Sequence, residues 1–146
     1  DGLDIMPFPV ERVVPMCSPA LAHGIRPIRS ADDLRFFPLI HSDHCLVRWP
    51  DWLERHSGLS LDLDRGLHFD RSFMSISTAA AGLGVCLDST LLAHGELASG
   101  RLVKPLGDDG PEVQGHRLAC QIGDKDLPKI VTFRTWLTTV LLETTS

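Results

Sequence analysis

The segment from Gly66 to Ser89, GLHFDRSFMSISTAAAGLGVCLDS, constrains the fold of this chain more than any other. It reads as a short strand, a polar turn, a helix, a glycine stop and a second strand. Asp70 and Ser72 are both good N-caps, because their side-chain oxygens accept from the free N–H groups of a first helical turn. Phe73, Ile76, Ala80 and Leu83 fall at i, i+3, i+7 and i+10, which predicts one buried stripe. Ala79, Ala80 and Ala81 keep the helix thin, so it can lie close to a sheet or another helix. Gly82 or Gly84 supplies the left-handed residue that ends it. Val85, Cys86 and Leu87 then form a short apolar strand. Such a step belongs to an α/β domain, with a helix N-terminus left free to hold something negative.

The flanking sequence continues the alternation. Arg12–Met16 is a β-branched strand, and Ser18-Pro19 opens a short helix that Gly24 ends. Asp1–Pro9, with two prolines, is expected to be irregular. Ser30 to Asp33 is close to a capping box for a helix that Pro38 stops. Leu39-Ile40-His41 is a brief strand, and Pro50 starts a helix carrying Trp52-Leu53. Leu59, Leu61 and Leu63 alternate with Ser60, Asp62 and Asp64, the period of an edge strand. Ser89 or Thr90 caps a helix over Leu91, Leu92 and Leu97. Arg101–Leu106 is expected to be a strand, residues 107–115 a loop, and His116–Ile122 a strand. Asp126 caps a last helix whose Ile130, Phe133, Leu137, Val140 and Leu141 share a face, with Trp136 beside them. Strands alternating with helices predict a mixed, mostly parallel sheet.

A chain of 146 residues is the size of one domain. Its net charge of −5 argues against gripping nucleic acid by itself, and no apolar run is long enough for a membrane helix. It starts at Asp1 rather than Met, so it is expected to be part of a longer protein. Cys17, Cys45, Cys86 and Cys120 form no CxxC pair; buried free thiols in a cytoplasmic protein are the reading, with a disulfide or metal pair as the alternatives.

Three places invite chemistry. The turn Phe69-Asp70-Arg71-Ser72 leads into the central helix, where the N–H groups of Ser72 and Phe73 and the Ser72 hydroxyl suit a carboxylate; the plainer alternative is that Asp70 or Ser72 merely caps. His41 and Ser42 end a strand, where α/β sheets place ligands; the plainer alternative is a satisfied histidine. His41, His44 and Cys45 suggest a metal, but three or four converging ligands are needed and no second cluster is present, so no metal or cofactor is expected. Gly82-x-Gly84 follows a helix and opens a strand, the reverse of a nucleotide loop. GxSxG, HExxH and GxxxxGK[ST] patterns are absent, so catalysis has no support. Asp108, Asp109 and Glu112 read as solvated, and Trp49 and Trp52 as helix packing.

Several stretches, taken in order, resemble the effector-binding domain of LysR-type transcriptional regulators. They are Val14-Pro15-Met16-Cys17-Ser18-Pro19-Ala20-Leu21, Leu39-Ile40-His41, Trp49-x-x-Trp52-Leu53, Ala80-Ala81-Gly82-Leu83-Gly84-Val85, Glu96-Leu97-Ala98-Ser99-Gly100-Arg101-Leu102-Val103 and Phe133-Arg134-Thr135-Trp136-Leu137. The branch resembles the glycine cleavage system activator. The resemblance implies a periplasmic-binding-protein-like (type 2) fold of two Rossmann-like lobes with a ligand cleft between them. About 10–115 would be the second lobe and 116–146 the return to the first. A winged helix-turn-helix and most of the first lobe would precede Asp1. It implies a small-molecule effector, a small anion or amino-acid-like metabolite, contacting His41, Ser42, Phe69, Asp70, Ser72 and Phe73. DNA would be bound only through the preceding domain, and no membrane. Met74, Thr78 and Ala81, on the side of the helix away from the core, would pair subunits in a homodimer or homotetramer. The same fold also serves solute-binding proteins of transport systems, the alternative reading.

Overall fold

The structure, a computed structural model, describes residues 2–145. In chain order the elements are β1 (Leu3–Pro7), β2 (Glu11–Met16), α1 (Pro19–Ala22), β3 (Leu39–Ser42), α2 (Trp49–Leu53), β4 (Gly66–Phe69), α3 (Ser72–Ala80), β5 (Val85–Ser89), α4 (His94–Ala98), β6 (Glu112–Val113), β7 (Arg117–Gln121) and α5 (Pro128–Thr145). Two 3-10 helices lie at Ala31–Phe36 and Ile122–Asp124. The chain divides into two compact units, residues 12–112 and residues 1–11 with 113–146.

The larger unit is built on a five-stranded sheet of order β4-β3-β5-β2-β6. β3 runs parallel to β4 and to β5, while β2 is antiparallel to β5, so the sheet is mixed. The registers place Ser42 opposite Phe69 and Ile40 opposite Cys86. The carboxyl ends of β3, β4 and β5 therefore share one edge of the sheet. Side chains alternate across a strand. Val14, Met16, Ile40 and Cys86 go to one face, where they form a buried cluster with Ile76, Ala79, Ala93 and Leu102.

The helix α3 lies on that face, but not by the stripe its sequence suggested. Its buried residues are Ser75, Ile76 and Ala79. Phe73 is 68% exposed and Leu83 57% exposed. Leu83 lies past the helix end, and Phe73 sits about 60° around the helix from Ile76 on the side away from Ala79. The alanine at the sheet is Ala79, fully buried, with Ala80 only partly so. Gly82 takes φ +83° and closes a Schellman motif. Its N–H donates to the Ala79 carbonyl at 3.0 Å, and the Leu83 N–H to the Thr78 carbonyl at 3.3 Å.

The opposite face takes Leu39, Val85 and Leu87, and both tryptophans are buried. Trp49 and Trp52 meet edge-on, ring centroids 5.6 Å apart. The Trp49 indole N–H donates to the Ile40 carbonyl at 3.0 Å, and that of Trp52 to the Asp109 carbonyl at 2.9 Å.

Several expectations are corrected. Leu59 to Asp64 makes no strand: only Leu61 is buried, and the Asp62 carboxylate takes the Asp64 N–H in a local turn. Arg101–Leu106 reduces to one bridge, Val103 to Cys17. The 107–115 loop contains β6; its acids reach solvent as expected and are also paired, Asp108 with Lys104, Asp109 with His56 and Glu112 with Arg12. The helix opened by Ser30 is 3-10, its start fixed by the Asp33 carboxylate accepting the Arg29 and Ser30 N–H groups. Those bonds hold the Asp33 carboxyl below its ordinary range.

The smaller unit pairs β1 antiparallel to β7, with Ile5 opposite Ala119. Within the segment expected to be irregular, Leu3–Pro7 is thus a strand, while Gly2, Phe8 and Pro9 are irregular and Asp1 lies outside the described residues. The unit's long helix α5 buries Leu141, while Phe133 and Trp136 remain 45% and 57% exposed. Asp4 pairs with Arg134, and the buried Glu11 accepts from His116 at 2.6 Å.

Candidate functional site

The carboxyl edge of β3 and β4 carries the candidate site, as α/β sheets commonly do. The Asp43 N–H donates to the Phe69 carbonyl at 2.9 Å, which ties the loop after β3 to the end of β4. Two separate pockets flank this tie.

One pocket, of about 180 Å³, is walled by His41, Ser42, Asp43, Cys45, Arg48 and His68, with Trp49 and Leu87 behind. His41 and His68 face each other across the parallel pair. Their rings stack at 4.2 Å between centroids and 7° between planes. Burial, and then His68, lower the His41 pKa, against an opposing pull from Asp43, so its imidazole is held neutral. Ser42 is 4% exposed. Neither Ser42 Oγ nor His41 Nε2 has a hydrogen-bond partner among the described residues, although both atoms are buried. The Cys45 thiol donates to the Val47 carbonyl, and burial pushes its pKa up to about 11.

The second pocket, of about 370 Å³, lies over the start of α3 and is walled by His44, Arg71, Ser72, Phe73, Ile76, Ser77, Leu92 and Glu96. The N-cap is Arg71, with no side-chain cap, and not Asp70 or Ser72 as the sequence suggested. The Asp70 carboxylate lies 3.8 Å from the Arg71 guanidinium instead. The Arg71 carbonyl accepts from Met74 and Ser75. The Ser72 and Phe73 N–H groups have no acceptor among the described residues, and the helix dipole adds partial positive charge there. Phe73 and Leu92 supply exposed apolar surface beside Arg71.

The six residues expected to act together are therefore divided. His41 and Ser42 wall the first pocket, Ser72 and Phe73 the second. Phe69 lines neither, because it packs against the core cluster. Asp70 is exposed on the turn. His68, Arg48, Ser77, Leu92 and Glu96 join the pockets without having been foreseen. Only His68 carried a signal, since it shares a register position with His41 once β3 and β4 are paired. Met74 and Thr78 lie off the buried face of α3, Met74 being 37% exposed, and Ala81 is the exposed C-cap at its end. No group of three His, Cys, Asp or Glu side chains among the described residues converges as a metal site.

The fold and the sequence both have counterparts. The model of the LysR substrate binding domain family matches residues 1–142. The HTH-type transcriptional regulator PerR of Escherichia coli (strain K12) is 40% identical over 134 residues, 90% of this chain and 44% of that protein. The glycine cleavage system transcriptional activator of the same strain is 32% identical over 137 residues, 93% of this chain and 44% of that protein. This chain thus spans less than half the length of those relatives. The effector binding domain of AmpR from Citrobacter freundii superposes with a TM-score of 0.69 at 25% identity, covering 97% of this chain and 69% of that chain. CrgA, a LysR-type transcriptional regulator from Neisseria meningitidis, superposes with a TM-score of 0.67 at 16% identity, covering 100% of this chain and 49% of that chain, a likeness of fold alone. The architecture is that of these effector-binding domains, periplasmic-binding-protein-like of type 2 with a mixed sheet. With 142 of its 146 residues matched, the chain belongs to the LysR substrate binding domain family.

Proposed function

We propose that this chain is the ligand-sensing part of a LysR-type DNA-binding transcription regulator, and that it works by binding rather than by turnover. A small anion or amino-acid-like metabolite is the effector. It sits at the start of α3 against Ser72 and Phe73, with Phe69 and Asp70 shaping the turn and His41 and Ser42 at the neighbouring end of β3. Residues about 10–115 act as the second lobe and 116–146 as the return to the first. DNA is held only through a preceding winged helix-turn-helix, in the cytoplasm and away from membranes. Subunits pair as a homodimer or homotetramer, with Met74, Thr78 and Ala81 on the pairing face of α3.

The observation that carries the reading is the pair of unsatisfied Ser72 and Phe73 N–H groups opening into a pocket that also holds Arg71. Such a helix start favours an anion. A ligand that prefers one arrangement of the lobes shifts the population of that arrangement, and with it the placement of attached DNA-binding domains. Names of relatives point the same way, since PerR and the glycine cleavage activator are both transcriptional regulators. Calorimetric titration of the full-length protein with amino acids and small carboxylates tests the reading. A saturable heat that Ser72→Ala weakens at least fivefold supports it. No heat from any member of the panel, with DNA binding intact, refutes it.

A further inference from the structure

Two histidines at the edge of the larger unit's sheet are packed in a way that suits only their neutral forms. β4 is the outermost strand of the order β4-β3-β5-β2-β6, four residues long and paired to β3. The register sets His68 of β4 beside His41 of β3, and side chains at matched positions leave the sheet on the same face. The rings lie flat on each other, centroids 4.2 Å apart and planes 7° apart. His41 is the inner ring, half-buried, and His68 is its exposed cover. The His41 Nε2 atom is buried and has no hydrogen-bond partner among the described residues. An imidazolium carries a proton on both ring nitrogens, so a charged His41 would hold a buried N–H with no acceptor, which costs free energy. A second charge on His68 would repel it across the stack. The surrounding groups do little to offset this. Asp43 draws a proton toward His41, more weakly than burial and His68 oppose it. Arg48, 3.9 Å from Asp51, adds like charge to the wall. The Cys45 thiol donates to the Val47 carbonyl and stays neutral. Leu87, Trp49 and Pro50, facing from β5 and α2, carry no charge.

We propose that the His41–His68 stack is an acid-released latch on β4: when both rings are protonated the stack parts, and the edge strand loosens from β3. β4 leads through Asp70 and Arg71 into the start of α3, so a loosened β4 also loosens the turn that shapes the pocket there. That consequence for effector binding rests on the function proposed above; the latch itself does not. Its contribution is present above pH 6.5 and is lost as the pH falls below that, because the unfolded chain takes up the His41 proton first.

The test is hydrogen exchange by mass spectrometry on the full-length protein without ligand, at about pH 8 and at about pH 5, corrected for the intrinsic pH dependence of exchange. The imidazole resonances are followed by NMR over the same range. The expected result is exchange at residues 66–69 roughly fivefold faster or more at the lower pH, with His41 titrating below pH 6.5. His68→Gln and His41→Gln each keep a polar side chain and remove one charge. In both, the acid-driven gain should fall below about twofold, while exchange at the higher pH stays as in the parent. Unchanged protection of residues 66–69 in acid would overturn the proposal. The same acid-driven gain in either variant would overturn it too, since it would place the trigger elsewhere. Faster exchange at residues 66–69 with residues 70–73 unaffected upholds the latch and removes only its tie to the effector pocket.

Discussion

Replacing Gly66 by alanine tests how tightly β4 is held against β3. Gly66 stands opposite Leu39 at the start of the edge strand, with φ +157°. A Cβ there would lie 1.9 Å from the Leu39 carbonyl oxygen, where ordinary contact begins at 3.4 Å, so the strands must part by about 1.5 Å. The backbone region is one that glycine alone occupies readily, costing other residues about 1–3 kcal/mol. Parting the strands also removes a ladder bond, about 0.5–1.5 kcal/mol. Alanine recovers about 0.4–1 kcal/mol by restricting the unfolded chain. The net is a loss of about 0.5–4 kcal/mol, centred near 2, read as a fall in melting temperature of several degrees. Thermal unfolding by circular dichroism measures it, and the His41–His68 stack should loosen in step, visible in the imidazole resonances. A melting temperature within a degree of the parent would show that β4 yields freely, and the argument that the sheet edge fixes the first pocket would fail.

The helix core is tested by Ala79→Leu, which should cost about 1–3 kcal/mol by overpacking a fully buried position, read from urea titrations. Burial raises the pKa of Cys17 and Cys45 to about 11, against an ordinary 9.0, so at pH 8 both should react with iodoacetamide on the order of a hundredfold more slowly than in the urea-unfolded chain. The same shifts give a stability window: the contribution is whole below pH 9.0 and is lost as the pH rises through 11, which urea midpoints across that range should follow. His41 has the opposite sign. Its lowered pKa contributes stability that is present above pH 6.5 and lost as the pH falls through the lower folded value, so His41→Gln should flatten that part of the acid limb.

Much of the fold was legible because it depends on local signals. Ser18 before Pro19, the Ser30–Asp33 pairing, Gly82 after the alanines and the β-branched run at Val13-Val14 all act within a few residues. What escaped depends on distant partners. Leu59, Leu61 and Leu63 alternate like a strand, yet only Leu61 is buried. Leu3–Pro7 pairs as a strand despite Pro7, because β7 supplies the bonds from more than a hundred residues away. The stripe through Phe73 and Leu83 failed since the helix ends at Ala80, before the left-handed Gly82, and its sheet contact is centred on Ile76 and Ala79. At the site, the sequence located the strand end and the turn but treated them as one cleft. The pairing of β3 with β4, invisible in one dimension, sets His68 against His41, and the two pockets take in Arg48 and His44.

If the proposed function holds, ligand binding in this chain changes DNA binding by the intact protein. The most direct measurement is DNase footprinting of the full-length protein on its operator, with and without a carboxylate or amino acid found to bind, alongside the Ser72→Ala variant. Ligand should alter the footprint or its midpoint concentration at least fivefold in the parent and little in the variant. By linkage, DNA should then change ligand affinity by the same factor. A ligand that saturates the protein and leaves footprint and midpoint unchanged would contradict it.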